Sequence, residues 1–110
     1  MAIIVKTENP EELLIEIKRA IDEKVTDLWS YDESGDFSHT PDKWINRAWL
    51  RPEAGEGELT FGILGTTDVG MTASLYSAYH AYFIEFLLNH VDHYFVTVAA
   101  TARKTAPDFF

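Results

Sequence analysis

One stretch restricts the folds open to this chain more than any other: residues 72–95, TASLYSAYHAYFIEFLLNHVDHYF. At 100° per residue Leu75, Tyr79, Tyr82, Phe83, Phe86 and His90 form one stripe, and Tyr76, Ile84, Leu87, Leu88 and Val91 fill the neighbouring arc. Ser74, Ser77, Ala81, Glu85 and Asp92 leave only a narrow polar edge. The pattern predicts a helix over 72–95 whose apolar arc is wider than one sheet face covers. Either the first helix or a second copy of the chain must cover its flank, and two-fold dimers are the commonest oligomers. Glu85, Asn89, His90, Asp92 and His93 lie in the same stretch, so it reads as a core helix and not a membrane span.

The rest of the chain supplies the sheet that such a helix needs. Ile3–Lys6 is β-branched and short, a minor edge strand or an extended lead-in. Asn9 as cap, Pro10 in the first turn and Glu12 three residues after the cap predict a helix over 10–24, with Leu13, Leu14, Ile17, Ala20 and Ile21 on one face. From Val25 the period changes to two, giving strands at 25–31 and 37–40 around a five-residue loop at 32–36. A helical turn at 41–45, a strand at 46–51 ending before Pro52, a turn at 53–57 and a strand at 58–64 follow. A loop at 65–70 leads to the long helix, a last strand covers 96–101, and the tail after it reads as mobile. Strands grouped between helices predict one α+β domain over 1–110, a two-layer sandwich. Its antiparallel sheet has four or five strands with both helices on one face, in the order α-β-β-β-β-α-β.

Charge and cysteine content narrow the function classes. A net charge of −9 in 110 residues disfavours phosphate backbones and anionic membranes, so neither nucleic acid nor a membrane is expected as a partner. The absence of cysteine removes disulfides, cysteine-ligated zinc, iron–sulfur clusters and thiol nucleophiles. The first residues lack the apolar core of a signal peptide, and the expected compartment is the cytoplasm. No serine sits in a GxSxG setting, and the glycines match neither a P-loop nor a dinucleotide fingerprint. The chain therefore reads as non-enzymatic.

Two groups of residues carry the functional expectation. From Asp22 to Asp42 there are seven acids against Lys24 alone, around Trp29, Tyr31 and Phe37. Acids ringing aromatics suit a basic protein partner. The expected contact set is Trp29, Tyr31, Asp32, Glu33, Asp36 and Phe37, within a hairpin spanning 25–40. Asp32, Ser34 and Asp36 alternate as a calcium loop begins, but Phe37 replaces the required glycine and Lys43 the closing glutamate, so a hairpin turn is the reading. In the segment 44–51, Arg47 and Arg51 fall on the Trp49 side of a strand, placed to lie over its ring or to pair with acids across the sheet.

The second group is His90 and His93. Three apart on a helix, they would share a face and hold zinc or another divalent metal if His39 or His80 supplied a third ligand. Histidines near a helix C-terminus also simply satisfy its last carbonyls, and no resident cofactor is expected on sequence grounds. Three functional readings follow. The first is a binding or inhibitor-type module for a basic protein, the second a metal- or ligand-binding domain, and the third a homodimeric structural component.

Overall fold

Asn9 sets the start of the first helix. Its side chain accepts the Glu12 N–H at 3.1 Å, and its amide group donates back to the Glu12 carboxylate at 3.2 Å. In the computed structural model, which describes residues 2–66 and 71–102, this helix α1 spans Pro10–Asp22. Its end is closed by two bonds, Lys24 N–H to the Ile21 carbonyl and Val25 N–H to the Ala20 carbonyl, both 3.1 Å. Lys24 takes the left-handed conformation (φ 57°) that such a cap requires. Val25 is therefore spent on the cap, and the strand expected from 25 begins only at Trp29.

Among the described residues the sheet has six strands, all antiparallel, in the order β2-β3-β4-β5-β1-β6: β1 Ile3–Lys6, β2 Trp29–Tyr31, β3 Phe37–His39, β4 Ala48–Gly55, β5 Glu58–Gly65 and β6 Thr97–Ala100. The α+β class and the antiparallel sheet are as the sequence implied, but four or five strands was an undercount. The first strand is not at an edge. It lies between β5 and β6, with Ile3 opposite both Phe61 and Ala100, and Ile3 and Val5 are fully buried. β4 also runs through Pro52, where a strand end was expected. β3 pairs with β4 only at Phe37 opposite Leu50, so past that point one flank of β4 is free and the missing proline N–H costs no ladder bond. The tight turn is then Glu56-Gly57, with Gly57 at φ +71°.

Register sorts the side chains into two faces. Val5 opposes Leu59 and Val98, Ile3 opposes Phe61, and Leu50 opposes Ile63 and Phe37. These residues form one core with Leu13, Ile17 and Ala20 of α1 and with Leu75, Tyr79, Phe83, Phe86 and Leu87 of the long helix. Both helices thus lie on one face, and the layers are two.

The long helix, α2, spans Ala73–His90, with Thr72 Oγ1 accepting the Leu75 N–H at 3.1 Å. It is shorter than its apolar pattern suggested. After buried Val91 the chain makes a 3₁₀ turn at Asp92–Tyr94 and leaves the helix axis. Val96 N–H then reaches the Lys6 carbonyl at 2.7 Å, and Thr7 Oγ1 donates to the Tyr94 carbonyl at 2.6 Å. Pairing of β6 with β1 overrides the helical tendency of residues 91–95. The flank of α2 is covered by α1, leaving Tyr82 and Leu88 as its large exposed apolar residues. The tail expected to be mobile lies, from residue 103, outside the described residues, as do 67–70 of the loop before α2.

Candidate functional site

The two-stranded end of the sheet positions the acidic and aromatic residues singled out by the sequence and, of the histidine pair, His90 alone. In the β2–β3 hairpin Trp29 faces His39, Ser30 faces Ser38 and Tyr31 faces Phe37. The loop between them is rigid: the Asp32 carboxylate accepts the N–H groups of Ser34 and Asp36 at 3.0 Å each, and Gly35 takes φ +83°. Asp36 then meets Arg51 on β4 through two parallel bonds, Nε to Oδ1 at 3.0 Å and Nη2 to Oδ2 at 2.9 Å. Arg51 thereby takes the cross-sheet acid as partner and leaves the Trp49 ring.

This geometry divides the six expected contact residues. Trp29 and Phe37 are core residues, Trp29 against Tyr79 and Phe83 and Phe37 against Phe61 and Phe83. Asp36 is buried in its ion pair. These three are corrected from partner contacts to structural supports. The alternation of large residues that suggested an aromatic surface is the core-facing side of the strands. Tyr31, Asp32 and Glu33 remain accessible. The Tyr31 hydroxyl donates to Asp22 at 2.6 Å, and this bond, ahead of burial, raises its pKa.

At the opposite, open end of the hairpin lies a cavity of about 30 Å³ lined by Thr26, Leu28, Trp29, His39, Tyr82, Glu85, Phe86, Asn89 and His90. His39 is its buried member, 3% exposed. Its Nδ1 lies 2.8 Å from the Leu28 carbonyl, which only accepts, so Nδ1 carries the proton and Nε2 presents a lone pair. The ring is stacked on Tyr82, 5.0 Å between centroids, and packed at 4.6 Å on Trp29. Burial lowers the His39 pKa, and the Leu28 carbonyl and the Glu85 charge only partly oppose this, so the imidazole is neutral near pH 7.

The histidine pair expected to act together is separated. His90 ends α2 and lines the His39 cavity, whereas His93 sits on the 3₁₀ turn with its side chain 90% exposed. His93 lines a different, open cleft of about 340 Å³ with Glu8, Asn9 and Glu12 at the start of α1. His80 is buried ten residues before His90, its Nδ1 donating to the Tyr76 carbonyl at 2.7 Å. Among the described residues no group of three or more histidine, aspartate or glutamate side chains is arranged to hold a metal.

Tyr82, Glu85 and Asn89 are site residues that the sequence reading passed over. Their spacing along α2 did contain a signal, since positions 82, 85, 86, 89 and 90 fall on one helical face. What it could not contain is His39, brought to that face by the sheet. Also among the described residues, no helix is long and apolar enough to cross a membrane. Comparison with protein-family models, with curated proteins and with solved structures returned no match.

Proposed function

We propose that this protein is a non-enzymatic binding module that engages a basic protein partner through the acidic tip of its β2–β3 hairpin. One observation carries the reading. Of the seven acids from Asp22 to Asp42, only Asp36 is held in an ion pair among the described residues. Asp32 and Glu33 are exposed on a loop whose backbone is already fixed by the Asp32 side chain. With Arg51 and Lys18 as neighbouring cations, the loop still carries an excess of carboxylates held in place, and this favours a cationic partner because little ordering cost is left to meet on binding. Tyr31, held by Asp22, adds an accessible aromatic beside the charges.

The test uses a lysine-rich peptide as the probe, titrated by calorimetry from about 0.02 to about 0.3 M salt, a range over which screening becomes strong. Affinity should fall steadily with salt. Asp32→Asn with Glu33→Gln should weaken it more than Glu53→Gln with Glu56→Gln at the other hairpin. Absence of binding at low salt, or equal effects from the two hairpins, rules out this surface as the recognition site.

A further inference from the structure

We infer that the cavity at the open end of the hairpin is a recognition subsite for a primary ammonium group, either a lysine side chain or a chain N-terminus. The inference rests on the binding-module reading and supplies it with a specific anchor. Its starting point is His39, a residue 97% removed from solvent whose Nε2 makes no hydrogen bond among the described residues. Among the described residues no sealed-off side-chain nitrogen or oxygen lacks a partner, so this nitrogen keeps some access to solvent, and the ring that carries it lines the cavity. The lone pair of a neutral imidazole accepts a hydrogen bond, so an N–H donor entering the cavity finds an acceptor there.

The surroundings specify which donor. Glu85 is the carboxylate on the cavity wall, Asn89 offers an amide oxygen, and neither lysine nor arginine lines the cavity. Three acceptors of this kind match the three N–H bonds of an ammonium ion. An anion would meet Glu85 and a lone pair, and is disfavoured. The volume of about 30 Å³ has room for a group the size of a water molecule, and an ammonium is of that size. The exposed ring of Tyr82, fixed against His39, gives the methylene stem of a lysine an apolar surface and the charge a ring face. The hairpin strands are three residues long, so this anchor lies roughly 10 Å from the acidic tip and both fit one partner.

The experiment follows the ring nitrogens of His39 by long-range ¹H–¹⁵N NMR in the whole chain. The probes are N-acetyl-lysine methylamide, which has only the side-chain ammonium, and glycinamide, which has only the α-ammonium. N-acetyl-norleucine methylamide is the neutral control. A saturable shift of Nε2 is expected with one or both ammonium probes, with Kd on the order of 1–10 mM for so small a ligand. The norleucine derivative should give none. Glu85→Gln, at an exposed position that leaves the core intact, should weaken binding about tenfold, as loss of one charged hydrogen bond does. No saturable shift from either ammonium probe overturns the subsite, as does an equal response to norleucine. A shift from the probes without hairpin-dependent peptide binding leaves the subsite standing and removes the acidic-tip reading. Peptide binding without the shift does the reverse.

Discussion

Tyr79 of the long helix holds the backbone of His39: its buried hydroxyl accepts the His39 N–H at 3.3 Å. The same hydroxyl donates to the Trp44 carbonyl at 2.7 Å and meets Ser38 Oγ at 3.1 Å. One oxygen therefore joins α2, β3 and the turn after it, at the root of the hairpin that carries the candidate site.

Tyr79→Phe removes that oxygen while keeping the ring. The His39 N–H and the Trp44 carbonyl lose a partner, and Ser38 keeps only the Ala48 carbonyl at 3.3 Å. A stability loss of about 1–3 kcal/mol is expected, the usual cost of stranding buried polar groups. Urea denaturation reads the loss, and hydrogen exchange at the His39 amide should accelerate more than at Ile63 on the neighbouring β5.

His39 makes stability depend on pH in a defined direction. Desolvation lowers its folded-state pKa from the ordinary 6.5, so the unfolded chain binds the proton first as pH falls. This contribution is complete above about pH 6.5, declines as pH drops from there toward the lowered folded value, and levels off below it. Urea midpoints between pH 8 and pH 5 should show the decline. His39→Asn, whose amide can still donate to the Leu28 carbonyl, should flatten it, and an unchanged slope in that variant would assign the effect elsewhere.

The Asp36–Arg51 pair lends itself to a double-mutant cycle. Arg51 is about half exposed and Asp36 is nearly buried, so solvent screens one partner and not the other. A coupling of about 1 kcal/mol is expected, between the values for a surface pair and a buried one. Asp36→Asn alone should also loosen the 32–36 loop, visible as faster exchange at the Ser34 amide.

Lys24 occupies a left-handed position at the cap of α1. Lys24→Gly should therefore stabilise the protein by up to about 1 kcal/mol, since glycine meets no Cβ penalty there. Thermal unfolding monitored by circular dichroism is sufficient, and a lower midpoint would contradict the cap geometry.

The parts of the fold that the sequence announces are those decided within a few residues. Asn9, Pro10 and Glu12 mark the start of α1, and Thr72 the start of α2, because a cap is a contact between neighbours three positions apart. The 32–36 loop is equally local: Asp32, Ser34 and Gly35 supply its bonds and its left-handed residue. The acidic turn was therefore visible, and Asp32 and Glu33 lie exposed on it. Trp29 and Phe37 were misassigned because alternation gives two faces without saying which one is covered.

Local chemistry along the chain thus determines where helices begin, where the hairpin turns and where negative charge gathers. The tertiary structure alone decides that Ile3–Lys6 is a central strand and that the helix opened at Thr72 stops at His90. Both follow from the pairing of Lys6 with Thr97, residues 91 positions apart, whose ladder bonds compete with helical ones over 91–95. The same long-range packing sets His39 against Tyr82 and divides His90 from His93. Burial of the His39 ring by the folded chain, and no spacing of histidines along it, gives that residue its open nitrogen and its chemistry.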